Sequence, residues 1–278
     1  MKPISGGKAA LAATTAACLT LAAALADDAA RVTGIPVDEK AGYLKPGELP
    51  NSLLLLPPPP AMSSPSEALD QDVARVALAL QGSDRFKLAA LDADLRFPEA
   101  AGAFSCALGA PINAKDTPTL YRLLIRVMAD ASNATAASKK KYRHARPFML
   151  DGEATCQPSE EDELRTNGSY PSGHSSVGWA WAEILGEIAP NRLDNILERG
   201  RAFGESRIVC NVHWATDVIG GRTIAAATVV RLHADPEFLA DVQSAKKELE
   251  AVSAKGLPPQ RDCKFEDHAL KQTRWLTP

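Results

Sequence analysis

From Glu67 onward the sequence returns again and again to the spacing of an α-helix, and few of its runs alternate polar and apolar residues as a half-buried strand would. Val73, Val76, Ala77 and Leu80 recur at helical intervals. The run DTPTLYRLLIRVMADA opens on a cap-like Thr117 with Pro118 at the first helical position. Ser172 is placed as an N-cap ahead of Val177, Trp181, Ile184, Leu185 and Ile188, which predicts a helix over 171–189. The run NRLDNILERGRAFGESR predicts another, in which Gly200 and Gly204 allow close helix packing on one face. Helices over 214–233 and 236–254 complete the set. No internal repeat is present. With 45% hydrophobic residues the chain can fill a sizeable core. The expected fold class is all-α, a single compact helical-bundle domain over residues 67–256.

The flanks read differently. Lys2 and Lys8 give a positive start, an Ala/Leu-rich stretch follows, and Ala24-Leu25-Ala26 forms an A-x-A cleavage pattern before Asp27. Residues 1–26 therefore read as a secretory signal peptide, with an apolar stretch too short to cross a bilayer comfortably. No later segment approaches ~20 apolar residues, so no membrane span is expected. Residues 27–66 form an irregular, Pro-rich arm that ends in SLLLLPPPPAMSSPSE. Four consecutive prolines cannot be helix interior, and the four leucines before them favour a docked arm over a free polyproline tether. Residues 257–278 read as a loose C-terminal tail.

The chain carries a net charge of −3 at pH 7, and loss of a leader holding two lysines and no acid makes it more acidic. That balance argues against bulk nucleic-acid or anionic-membrane binding. Cys18 leaves with the leader. Cys106, Cys156, Cys210 and Cys263 remain, and an even number in an exported chain suggests two disulfides. A zinc site is the rival, but no C-x-x-C or H-x-x-x-H pair is present.

Three segments carry chemistry. The first is KKKYRHARP, Lys139 to Pro147, which alone reads best as a solvated basic face. The second is PSGH, Pro171 to His174, where a first helical turn has no special need for an imidazole. The third is SRIVCNVHWATD, Ser206 to Asp217. His213 and Asp217 are four apart, so on a helix they share a face and touch, which alone describes many surface ion pairs. Arg207 lies six before His213, off that face unless the chain turns near Cys210–Val212. Together the segments do more. Arg146, Arg207, Lys139 and Ser172 can donate to a phosphate, and the helix start at Ser172–Gly173 offers free backbone N–H groups that Gly173 lets an anion approach. His213, oriented by Asp217, would be the nucleophile, and His174 the proton donor to the leaving oxygen. Neutral His213 then requires a protonated His174, and opposite states predict a bell-shaped pH profile.

The order Lys139-x6-Arg146-Pro147, Pro171-Ser172-Gly173-His174 and Ser206-Arg207-x5-His213-x3-Asp217 resembles the signature of the type 2 phosphatidic acid phosphatase and vanadium haloperoxidase superfamily. LPPPP, RPF, GSYPSGH, GWAWAEILGEIAPNR, RGRAFGESR and HWATDV further resemble the secreted bacterial class A nonspecific acid phosphatases, over roughly residues 43–250. The resemblance implies an all-helical fold and hydrolysis of phosphate monoesters with broad specificity and no metal or other cofactor. It implies a phosphohistidine on His213, Asp217 orienting it, and His174 as general acid and then base. Lys139, Arg146, Ser172, Gly173 and Arg207 would hold the phosphoryl oxygens, with inorganic phosphate or vanadate as pocket ligands. It also implies a bacterial periplasmic or secreted location and leaves open phosphotransfer to alcohols and homo-oligomerisation.

Four cysteines allow three connectivities. Cys156–Cys210 is favoured because both follow phosphate-binding segments that must converge, which leaves Cys106–Cys263 to pin the tail. His144, His233 and His268 are expected to be surface or structural. Trp179, Trp181 and Trp214 are expected to pack the core, with Trp214 also walling the pocket. Three rivals share the residues. A vanadium haloperoxidase would oxidise bromide once vanadate-loaded. A membrane lipid-phosphate phosphatase would need spanning helices. A phosphate-binding protein would bind without hydrolysis and has no need of two histidines and a carboxylate.

Overall fold

The computed structural model describes residues 41–273 and residue 276. The expected signal peptide and the first part of the arm lie outside the described residues. The regular structure of the described residues is helical, without a strand among them. In order it forms α1 (Ser52–Leu55), α2 (Pro65–Leu78), α3 (Asp84–Ala93), α4 (Ser105–Leu108), α5 (Pro118–Asn133), α6 (Ala136–Tyr142) and α7 (Pro147–Asp151). Then follow α8 (Glu161–Thr166), α9 (Gly173–Ile188), α10 (Leu193–Val209), α11 (Ala215–Leu232), α12 (Pro236–Ala254) and α13 (Cys263–Lys271).

The centre is α9. Val177, Trp181, Ile184, Leu185 and Ile188, the residues whose spacing predicts it, are all buried. It packs most extensively on α10 and α11, with α5 on another side and α12 behind α5. The close fit with α10 depends on glycine: a Cβ at Gly200 would overlap that of Ala182, and one at Gly204 would press on Ser175 and Val218. The Trp181 ring sits among Phe97, Phe104 and Phe203 and donates its Nε1 proton to the Leu124 carbonyl at 2.9 Å. Trp179 instead lies at the edge of this core and donates to Glu183. Thr117 precedes Pro118 at the start of α5, but its hydroxyl accepts from Asn113 N in the preceding loop rather than capping the helix.

The described part of the arm is docked, though not by the leucine run as a whole. Leu53, Leu54 and Leu55 are exposed and Leu56 alone is buried. Tyr43 supplies the stronger anchor: its N–H donates to Asp130 at 2.8 Å, its hydroxyl to Asp241 at 2.7 Å, and Arg126 lies over its ring. The tail departs from the loose segment that its sequence suggests. It folds into α13, and a disulfide joins Cys263 to Cys106 across 157 residues. Ahead of α13, Gln260 bonds Ile112 in both directions, and Arg261 reaches Asp92 at 3.2 Å. Asp92, fully buried, also binds Arg199 and Ser206, so the tail reaches from the surface into a buried polar network. A second disulfide joins Cys156 to Cys210.

Candidate active site

The three chemical segments meet at the N-terminal end of α9. Ser172 is the N-cap, its hydroxyl accepting from Ser175 N at 3.2 Å, which leaves Gly173 and His174 in the first turn. Its own N–H donates to the Asp217 carbonyl at 2.9 Å and ties this turn to the third segment. Arg207 occupies the last turn of α10. The chain then reverses through Asn211, in the left-handed region at φ 60°, and the N–H groups of Val212 and His213 both return to the Arg207 carbonyl. This turn near Cys210–Val212 brings Arg207 and His213 together.

His213 and Asp217 do not share one helix face. His213 lies ahead of α11, Trp214 is its N-cap, and Asp217 stands in the first turn. The Asp217 carboxylate reaches back to Trp214 N at 2.9 Å and to His213 Nδ1 at 3.1 Å. The pair therefore straddles a helix start, where a carboxylate also satisfies a free N–H and opposes the positive end of the helix dipole.

These bonds fix the imidazole's tautomer. Nδ1 donates to Asp217, so Nε2 carries the lone pair, and it faces Arg146 Nη1 at 3.1 Å. Arg146, just ahead of α7, is held by the carbonyls of Val212, Leu164 and Asn167. Lys139 Nζ donates to the Gly168 carbonyl at 2.8 Å. Arg207 is different: it is fully buried, and none of its three guanidinium nitrogens meets an acceptor among the described residues. A buried cation with unmet donors is costly unless a ligand supplies the acceptors.

The electrostatics fit an anion. Burial and then Arg146 bring the Lys139 ammonium down to about 7, and burial and then Arg146 bring Arg207 to about 9. Burial and then Arg146 hold His213 well below the ordinary histidine range, against the pull of Asp217. Burial and then Arg207 do the same to His174. Burial works to raise Asp217, but the neighbouring His144 and His213 outweigh it and hold the carboxylate well below its usual range. Burial thus works against the charged form of both imidazoles. An anion set against Arg207 and Arg146 opposes the second cause of each shift.

His174 Nε2 donates to the Ala93 carbonyl at 2.9 Å, which leaves Nδ1 as the atom that can exchange a proton. Ala93 is the last residue of α3, so this carbonyl belongs to the negative end of a helix, where an imidazolium is favoured. Gln157 Nε2 donates to the same oxygen at 3.2 Å. The sequence reading missed both Ala93 and Gln157, for which no motif exists.

It also set His144 aside as surface or structural. His144 is only partly exposed, stands 3.5 Å from Asp217 Oδ1, and meets Ser169 Oγ at 3.1 Å and the edge of Tyr170. Its place inside the first segment, two residues before Arg146, was the available signal. Trp214 donates to the Ala145 carbonyl beside it and tilts against His144. His233 pairs with Glu187 and His268 with Asp84, both away from this centre.

The PAP2 superfamily profile matches residues 120–239, which contain Lys139, Arg146, Ser172, Gly173, His174, Arg207, His213 and Asp217. The chain is 44% identical over 207 residues to the non-specific acid phosphatase of Providencia stuartii, covering 74% of this chain and 84% of that one. It is 40% identical over 208 residues to the non-specific acid phosphatase of Salmonella typhimurium, covering 74% and 83%. It is 37% identical over 218 residues to the acid phosphatase of Zymomonas mobilis, covering 78% and 83%.

Proposed function

Because the chain belongs to the PAP2 superfamily and is an acid phosphatase, we propose that it hydrolyses phosphate monoesters of broad structure through a phosphohistidine on His213, without a metal ion. The observation that carries this reading is the buried, acceptor-free guanidinium of Arg207 in the same pocket as an imidazole whose free lone pair lies on Nε2.

In this reading the phosphoryl oxygens supply the acceptors that Arg207 lacks, with Lys139, Arg146, Ser172 and the N–H groups at Gly173 around them. His213 Nε2 attacks phosphorus as the ester P–O bond breaks, and the departing oxygen takes the proton from His174 Nδ1. Asp217 stabilises the charge that grows on the His213 ring. Water then gives its proton to the neutral His174 Nδ1, attacks phosphorus and breaks the P–N bond, releasing phosphate and restoring both imidazoles. An alcohol in place of water would accept the phosphoryl group, giving phosphotransfer. The three cations provide the positive charge that phosphoryl transfer demands. The donors named here all address the phosphoryl group, a portion common to every phosphate monoester, which supports broad specificity.

Two disulfides fit folding outside the cytoplasm, and in this reading residues 1–26 direct export to the periplasm or medium and are removed. No described helix is long and apolar enough to cross a membrane.

The test is hydrolysis of p-nitrophenyl phosphate from acid to neutral pH with chelator present, paired with alkaline quenching to trap labelled enzyme. Acid-peaked turnover that survives chelation, with an alkali-stable, acid-labile label on His213, is expected. His213→Ala and His174→Ala should each lose roughly 10²–10⁴-fold in turnover. Near-native turnover in both folded variants would sink the mechanism. Turnover abolished by chelation would replace the metal-free reading.

A further inference from the structure

The basic run at 139–143 is only partly used by the phosphate site. Lys139 enters it, while Lys140 and Arg143 are exposed and have no carboxylate within ion-pair distance among the described residues. Both line a cavity of about 410 Å³, together with Ser132, Thr135, Lys139 and Asn167. Among the described residues no carboxylate lines it, in a chain whose net charge is −3.

This cavity shares a wall with the phosphate cradle. A Cβ built on Gly173 would lie 3.8 Å from Thr135 Oγ1 and 3.9 Å from both Lys139 Cε and Ser132 Oγ, all from residues that line the cavity. A substrate whose phosphoryl group sits at Gly173 and Lys139 therefore has its alcohol half beside an empty volume in the size range of small-ligand sites. Arg143 is also held in an unusual way. It caps α6 in the left-handed region at φ 47°, its N–H bonded to the Lys139 carbonyl, at a position where glycine or asparagine is the ordinary choice. Gly168 makes room for this turn, since a Cβ there would press on the Lys139 carbonyl and the Arg143 Cα.

The geometry points to an accessory anion subsite: the cavity takes a second phosphate carried on the alcohol half of the substrate, held by Lys140 and Arg143. This inference rests on the phosphate cradle described above and adds a substrate class to it, phosphomonoesters that bear a further phosphate. The two cations act as charge-assisted donors at a solvated rim, so their effect is on binding rather than on the chemical step.

The experiment compares kcat/KM for fructose 1,6-bisphosphate and fructose 1-phosphate by phosphate release, with p-nitrophenyl phosphate as the reference for the cradle itself. Beyond the statistical factor of two, the wild-type protein should favour the bisphosphate by roughly fivefold to tenfold, through KM. Lys140→Ala and Arg143→Asn should each shrink that preference, and the double variant should abolish it. Asparagine tolerates the left-handed backbone, so Arg143→Asn removes the charge without straining the turn. A wild-type ratio at the statistical value, or a preference that survives the double variant, would overturn the subsite while p-nitrophenyl phosphate turnover keeps the cradle. Absence of turnover on all three substrates would overturn the cradle reading and the subsite with it.

Discussion

In the proposed mechanism the role of His174 turns on which nitrogen carries the proton and when. The Ala93 carbonyl can only accept, so Nε2 keeps a proton in both charge states and Nδ1 is the site of exchange. In the free pocket burial and Arg207 disfavour the second proton. A bound anion sets negative charge against Arg207 and reverses that second influence, so ligand and proton should bind together. Sulfate, which does not itself titrate near neutrality, isolates the effect. Calorimetry of sulfate binding just below pH 6.5, in buffers of different ionisation enthalpy, should show net proton uptake. Zero uptake would mean that the imidazoles do not respond to the anion. The same depression has a sign for stability. Below about pH 6.5 the unfolded chain takes up protons that the buried, neutral His174 and His213 resist, so the ligand-free protein loses stability as pH falls through that window. Sulfate should restore part of the loss.

At the scale of elements, the site depends on how closely α11 approaches the start of α9. Gly221 makes that approach possible: a Cβ there would lie 2.5 Å from the Ser172 carbonyl and 2.8 Å from Ser175 Cβ. The obstacle is backbone, which has little room to give. Gly221→Ala should destabilise the protein by about 1–3 kcal/mol and displace the Ser172 turn from Asp217. The measurements are a denaturant midpoint and kcat/KM for p-nitrophenyl phosphate on the folded fraction. A lowered midpoint with unchanged kinetics would show that the turn is not set by this contact. The junction of α10 and α11 explains why His213 and Asp217 meet across a helix start. The left-handed turn at Asn211 ends α10 and lets α11 begin at Ala215, so the imidazole sits beside the helix rather than on it.

Across the whole molecule, the C-terminal segment is joined to the candidate site through the buried carboxylate of Asp92. Cys263 is bonded to Cys106, Arg261 to Asp92, and Asp92 to Ser206, the residue next to Arg207. Asp92 also precedes Ala93, whose carbonyl orients His174. Reduction or replacement of the 106–263 disulfide frees a loop of 157 residues in the unfolded chain, and removal of such a link costs about 2–5 kcal/mol. The Cys106→Ser/Cys263→Ser double variant should unfold at lower temperature, with amide exchange accelerated first in α13 and then at the end of α3. Exchange that accelerates uniformly would argue against a tail that acts as a local brace.

The helical class and the three chemical segments that meet at the start of α9 were legible in the chain alone. Helical periodicity is a local property, and phosphoryl chemistry calls for particular residue types in short segments, so Lys139, Arg146, Ser172, His174, Arg207, His213 and Asp217 could be read in line. The tertiary structure decided what those groups face. Ala93 meets His174 across 81 residues, Arg261 meets Asp92 across 169, and His144 comes to stand beside Asp217 only when three segments converge. Protonation, tautomer and the choice of which cation is left without an acceptor depend on burial and on neighbours distant in the chain. No spacing pattern encodes them, because low dielectric and long-range contact exist only once the core has closed.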